Sequence, residues 1–269
     1  MKFEVKTVEL SKQIKLQYVE QGNPKGLPLI LLPGYADSWR SFELVLPYLS
    51  KSIPVFALTQ RGHGDASRPI TGYSPRDFSM DLAAFMDELE IEAAVIVGGS
   101  SGGIIARCFA VEYPNRTLGL ILVGSPLTLK DKPSVLALWD STISRLEDPI
   151  DPKFVHEFVK STLVQKVPKA FLNNMIKENL KVPARVWRAT LKGLLEDDCL
   201  EKLNEIKAPT LIVWGDKDRI SPGSDQETLL NSIPNSRLVV YPNAGHVLYW
   251  EEPASVASDI VAFIENLDR

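Results

Sequence analysis

The sequence predicts an α/β fold, a mainly parallel sheet covered by helices on both faces, and three observations carry that expectation. Eight short apolar runs alternate, over most of the chain, with segments whose apolar residues recur at helical spacing. The run Ala93-Ala94-Val95-Ile96-Val97 is apolar without alternation, as a strand buried on both faces requires. It passes through six Gly and Ser residues straight into the apolar, small-residue run Ile104-Ile105-Ala106, which reads as the start of a helix.

Residues 3–10 and 13–20 alternate polar and apolar, predicting two strands joined by a short polar turn. Residues 28–32 form a third strand, which ends in Pro33-Gly34-Tyr35-Ala36-Asp37-Ser38-Trp39; residues 41–49 then have helical spacing. A strand over 53–58 runs into Arg61-Gly62-His63-Gly64-Asp65, and an amphipathic helix over 75–89 leads to the strand at 93–97. Further strands fall at 118–124, 209–214 and 237–241, and an amphipathic helix over 253–267 closes the chain. Between Pro126 and Ile206 no strand is evident. Helices are expected there over 134–146, 152–163, 169–180 and 184–195, each started by or following a proline. Inserted at the carboxyl edge of the sheet, they would roof what lies beneath.

A strand that turns sharply into a helix at G-x-S-x-G holds a serine hydroxyl at a strained corner above the sheet. Gly98-x-Ser100-x-Gly102 and Gly99-x-Ser101-x-Gly103 both satisfy the pattern. The apolar run stops at Val97, which puts Gly98 at the first turn position and favours Ser100 as the nucleophile. A glycine-serine linker would not sit between a β-branched strand and a helix. These residues resemble the α/β-hydrolase family, whose corner commonly reads G-H-S-x-G-G; Gly99 stands where the histidine would be. The resemblance implies an eight-stranded α/β-hydrolase core from residues 1–125 and 207–269, with 126–206 as a helical cap inserted after the sixth strand.

A serine hydroxyl needs a base within hydrogen-bond reach. The chain has three histidines. His63 sits in a Gly-flanked loop and is expected to hold that loop; His156 falls in the inserted helical region. His246, in Asn243-Ala244-Gly245-His246-Val247, lies just past the last strand, on the edge that carries the corner. The family order Ser…Asp…His implies His246 as base, and its pattern G-x-x-D-x-x-x-P implies Asp218 rather than Asp216 as the acid that orients it. Asp216 is expected to bond the local backbone of its turn. The resemblance also implies an oxyanion hole from the backbone N–H groups of Ser101 and Tyr35, with Pro33 standing where the family carries another histidine.

With those residues in place, the expected activity is hydrolysis of a carboxylic ester or lactone through an acyl-enzyme, with no cofactor and no metal. Relatives that open epoxides or remove halides carry aspartate at the corner, so Ser100 argues against those reactions. Carbon–carbon hydrolases and perhydrolases use similar triads, and a slow-hydrolysing ligand receptor on the same fold is a further alternative. Trp39, Trp139, Phe154, Phe171 and Trp187 are the candidate pocket residues. Phe158 and Met175 belong to the same apolar set, with Tyr35 below.

The composition sets outer limits. The 269 residues are 45% hydrophobic and 24% charged, ordinary for a globular chain, and no basic tract accompanies the net charge of −4. Nucleic-acid and membrane-surface binding are therefore not expected, and the partner is a small molecule. No apolar run approaches the length of a membrane span or a secretory leader, so a cytoplasmic monomer or homodimer is expected. Cys108 and Cys199 are expected as separate buried thiols.

Overall fold

The computed structural model of the chain describes residues 3–10, 14–197 and 199–267. Gln13 and the turn expected at 11–12 lie outside them. Eight strands form one sheet: β1 (Val5–Leu10), β2 (Ile14–Gln21), β3 (Leu29–Leu32), β4 (Val55–Thr59), β5 (Ala94–Gly99), β6 (Thr117–Val123), β7 (Thr210–Gly215) and β8 (Ser236–Tyr241). Their order is β1-β2-β4-β3-β5-β6-β7-β8. β2 runs antiparallel to both β1 and β4, and every other neighbouring pair is parallel. Every residue of β3 and β5 is buried, whereas the edge strand β1 alternates exposed and half-buried positions. Burial on two faces explains the unbroken apolar runs, and burial on one explains the alternation.

Strand order reverses between β3 and β5. The chain leaves β3 toward β4 on one side and later returns to place β5 on the other. A crevice opens outside the carboxyl ends of strands at such a reversal. The loop beginning Pro33-Gly34-Tyr35 leaves β3 there, and the Gly/Ser corner leaves β5 beside it.

The helices are α1 (Pro75–Glu88), α2 (Ser101–Glu112), α3 (Pro133–Ser141), α4 (Pro152–Ser161), α5 (Lys169–Leu180), α6 (Ala184–Leu195), α7 (Gly223–Ser232), α8 (Leu248–Glu251) and α9 (Pro253–Leu267). α1 starts at a capping box: Ser74 Oγ accepts the Asp77 N–H, and the Asp77 carboxylate accepts the Ser74 N–H. α3 to α6 all fall between β6 and β7, which nevertheless pair directly, so the excursion leaves the sheet continuous.

Three expectations change. The helix expected over 41–49 is two 3₁₀ turns, Trp39–Phe42 and Leu46–Tyr48, because Pro47 has no N–H to continue an α-helical ladder. The helix expected over 134–146 ends at Ser141, where Thr142 leaves helical angles before a 3₁₀ turn at Ile143–Arg145. α7 and α8 carry no strong periodic signal and went unforeseen. Cys108 and Cys199 are joined as a disulfide, not separate thiols. α2 packs against the 3₁₀ segment Cys199–Glu205 and brings their Cα atoms to 5.4 Å, a proximity between residues 91 apart that spacing does not reveal.

His63 ties down the loop after β4. Its Nδ1–H donates to the Arg61 carbonyl at 2.8 Å, and its backbone bonds Gln60 and Ala66. Burial disfavours the imidazolium and holds its pKa at about 4, below the ordinary 6.5. A lowered histidine pKa contributes stability that is complete above pH 6.5 and is lost as pH falls through 4. That shift corresponds to about 3 kcal/mol. Urea unfolding of the parent should therefore lose more stability between pH 7 and 4 than His63→Asn, whose amide can still donate to Arg61. Parallel pH profiles would show that His63 is not the buried neutral group described.

Candidate active site

The corner between β5 and α2 is built from residues too small to keep strand and helix apart. A side chain on Gly98 would collide with the Gly102 carbonyl and the Gly103 Cα, so only glycine permits this crossing. Ser100 follows with φ 52° and ψ −125°, a region that costs a non-glycine residue of order 1–3 kcal/mol. Its N–H donates to the Val123 carbonyl of β6 at 2.9 Å, which pins the strained residue to the sheet. Ser101 begins α2, so its N–H is one of the first-turn donors that find no acceptor within the helix.

Two loops from the same sheet edge complete the constellation. The loop after β7 carries Asp218, and the loop after β8 carries His246; both are buried. Asp218 Oδ1 accepts the N–H groups of Ile220 and Ser221 at 2.8 and 2.9 Å. Its Oδ2 lies 2.8 Å from His246 Nδ1. A carboxylate that accepts can face only a protonated Nδ1, which leaves Nε2 bare to accept from the Ser100 hydroxyl at 2.7 Å. Asp216, expected to bond the backbone of its own turn, instead reaches the next loop: Oδ1 accepts the Asn243 N–H at 2.6 Å and so closes the turn beneath the His246 loop.

Gly99 faces the ring of Tyr249, and a Cβ there would stand 2.9 Å from Tyr249 Cζ. The aromatic ring thus occupies the space beneath the corner that a larger residue at 99 would need. Tyr35 lies across the opening. Its hydroxyl donates to the Trp187 carbonyl of α6 at 2.7 Å, while its backbone N–H donates to no acceptor among the described residues.

Ser100 and His246 open onto a cavity of about 310 Å³. Leu129, Val135, Leu138, Phe158, Val159 and Leu191 supply most of its apolar wall. None of the five aromatic residues expected in the pocket reaches it. Trp139 of α3 stands about 100° around the helix from Leu138, on the far side of Val135, and stays outside the lining. Phe154 and Trp187 pack behind Phe158, with Trp187 also edge-on to Tyr35. Phe171 stands edge-on to Trp250 and lines a separate cavity. Trp39 packs against Phe3 under the Arg40 guanidinium. Met175 is buried outside the lining, and His156 sits on α4 beside Glu157, away from the cavity. Of the apolar set, Phe158 and Tyr35 line it.

Three polar residues that line the cavity close together were not among the expected site residues: Asp37, Asn179 and Tyr249. The acid inside an otherwise apolar loop was the available clue to Asp37. Burial pushes its carboxyl up to about 6, against hydrogen bonds from Asn179 and Ser41 and the charge of His246. No cluster of three or more His, Cys, Asp or Glu side chains is placed to hold a metal ion among the described residues, and no described helix is long and apolar enough to cross a membrane.

A family model described as the alpha/beta hydrolase fold matches residues 28–253. The chain is 28% identical to the 2-hydroxymuconate semialdehyde hydrolase of Pseudomonas sp. (strain CF600), over 90% of this chain and 88% of that protein. In structure it resembles the esterase EaEST of Exiguobacterium antarcticum, with a TM-score of 0.86 at 22% identity, covering 96% of this chain and 98% of that one. The enol-lactonase of Burkholderia xenovorans LB400 is similar too, with a TM-score of 0.83 at 18% identity, covering 97% and 100%.

The contact between Gly99 and Tyr249 is open to a direct check. Gly99→Ala should cost about 1–3 kcal/mol in urea unfolding, the usual cost of overpacking a filled site. In a Tyr249→Leu background, which lacks the ring atoms that a Cβ would meet, the same change should cost measurably less. An equal cost in both backgrounds would show that the ring does not fill this space.

Proposed function

The chain belongs to the alpha/beta hydrolase fold family, and from that premise we propose that it cleaves a carboxylic ester or lactone by serine catalysis. What carries the reading is the hydrogen-bonded series from Ser100 Oγ through His246 to Asp218, set at the floor of an apolar cavity.

On this reading Ser100 Oγ attacks the acyl carbon while its proton passes to His246 Nε2. Asp218 keeps Nδ1 protonated and stabilises the imidazolium that forms. The N–H groups of Ser101 and Tyr35 meet the developing oxyanion, and removal of one such donor typically costs 10²–10³-fold in kcat. The imidazolium then returns its proton to the leaving alkoxide, which departs as the alcohol. A water deprotonated by His246 attacks the acyl-enzyme, releasing the acid and restoring Ser100. The groups used are the chain's own and water.

Residues 126–206 act here as a cap that selects the substrate, and 1–125 with 207–269 as the core that does the chemistry. The cavity lining supports this division, since Val135, Leu138, Phe158, Val159 and Leu191 come from α3, α4 and α6 while the reacting groups come from the sheet loops. An apolar wall of this size suits a small neutral acyl or alcohol group. The similarity to 2-hydroxymuconate semialdehyde hydrolase favours a second reading, cleavage of a carbon–carbon bond next to a carbonyl, which begins at the same serine.

Ser100→Ala should abolish ester hydrolysis, whereas Ser101→Ala, which keeps its backbone donor, should retain substantial activity. A fluorophosphonate should label Ser100; peptide mapping that finds the label on Ser101 would sink the assignment. Asp218→Asn should lower kcat by roughly 10⁴-fold and Asp216→Asn far less. The reverse ranking would mean that the acid had been misassigned. Turnover of a vinylogous 1,5-diketone with no turnover of esters or lactones would favour the second reading.

A further inference from the structure

The polar end of the cavity is assembled from three separate parts of the chain. Asp37 comes from the loop after β3, Asn179 from α5 and Tyr249 from α8. A methyl built on Gly34 would stand 3.1 Å from Ser100 Cβ and 3.6 Å from Asp37 Oδ2. The carboxylate and the serine therefore flank the same small space.

The hydrogen bonding of this cluster is incomplete in one direction. Asp37 Oδ2 accepts the Ser41 hydroxyl at 2.8 Å, and Oδ1 accepts Asn179 Nδ2 at 3.0 Å. An ionised carboxylate offers about four acceptor positions, so roughly half stay open. Asn179 Nδ2 also donates to the Met175 carbonyl, which fixes the orientation of the amide; Oδ1 is left buried with no donor. The Tyr249 hydroxyl is likewise buried without a partner. Ser41 lies near it; its Oγ donates to Asp37 and accepts Trp250 Nε1 at 3.2 Å, which leaves one lone pair for the Tyr249 proton and the phenol oxygen free to accept.

Buried polar atoms left unpaired are costly and rare in native structures. Two of the three groups here can only accept when Asp37 is ionised, and the third can do either. The partner that completes them is a hydrogen-bond donor. A hydroxyl fits better than an ammonium, which would carry three donors and a full charge into a cavity whose remaining wall is apolar side chains and the neutral hydroxyls of Ser134, Ser161 and Thr162. Glu178 and His246 are the other titratable groups that act on Asp37, and the histidine is already engaged with Asp218.

We propose that Asp37, Asn179 and Tyr249 form a subsite for a hydroxyl group that the substrate carries a few atoms from its scissile carbonyl. The proposal rests on the ester- or lactone-cleaving reading for its placement beside the acyl carbon. The hydroxyl belongs either to the acyl part or to the alcohol part. A site built to bond a hydroxyl discriminates strongly against the analogue that lacks it.

Calorimetric binding of amide analogues tests the subsite without turnover. 3-Hydroxybutyramide against butyramide probes the acyl side, and N-(2-hydroxyethyl)butyramide against N-propylbutyramide the alcohol side. In one of these pairs the hydroxylated member should bind at least tenfold more tightly. In Tyr249→Phe and Asp37→Asn that preference should fall below threefold. The ratio within a pair is the readout, because a merely structural role would weaken both members together and leave the ratio unmoved. Equal binding within both pairs, or tighter binding of 3-aminobutyramide than of 3-hydroxybutyramide, overturns the assignment. The matching esters are then assayed for hydrolysis. Binding preference without turnover would defeat the hydrolase reading and keep the subsite; turnover without preference would defeat the subsite alone.

Discussion

Everything at this site depends on how closely α2 crosses β5. The crossing brings the helix start directly above the strand end, and the residue between them, Ser100, is forced to a positive φ. Its hydroxyl then reaches His246 Nε2 at 2.7 Å. The strain is held because the parallel ladder continues on both sides of β5, with β3 on one flank and β6 on the other. Tyr249 fills the volume that a larger residue at 99 would take. The corner is over-determined by its surroundings, and this is how strained geometry persists in a marginally stable fold.

The partners of Ser100 follow from the parallel sheet. Strands that run in the same direction deliver all their following loops to one edge, so His246, 146 positions further along, arrives within hydrogen-bond reach of Ser100, and Asp218, 118 positions along, within reach of His246. Burial would make Asp218 expensive as a lone charge. Two backbone N–H groups and one imidazole N–H satisfy it instead, and the same bonds hold His246 in the tautomer that leaves Nε2 free. The local turn chemistry of the loops is therefore also the chemistry that orients the site. Asp216 closes the neighbouring turn, which separates the structural acid of the pair from the one that touches the imidazole.

The helices between β6 and β7 meet the core through many polar ties, two of which hold Tyr35 and Asp37. From the loop that follows β3, Tyr35 donates to the Trp187 carbonyl and Asp37 accepts from Asn179. A nest of aromatic rings from Tyr35, Phe154, Phe158 and Trp187 surrounds the first tie. The loop between β3 and β4 is thus held from above as well as from the sheet. Tyr35 and Asp37 of this loop both line the cavity.

The sequence by itself determined the fold class, the corner, and the loops that approach it. Gly98, Ser100 and Gly102 constrain backbone within five residues, and the apolar run before them needs burial wherever the chain puts it. Such signals are local, so they are legible without knowing the fold. Even Pro47, which broke the helix expected over 41–49, acts through the missing N–H of one residue. The cavity wall was another matter. Leu138 faces the cavity and Trp139 does not, although both are apolar neighbours on α3, because the rotation of that helix is set by what it packs against. The meeting of Gly99 with Tyr249, of Asp37 with Asn179 and of Cys108 with Cys199 joins residues 91 to 150 positions apart. No local pattern encodes those pairings; they exist only once the sheet, α2 and the inserted helices have packed, because it is the shared volume of the packed elements that decides which side chains touch.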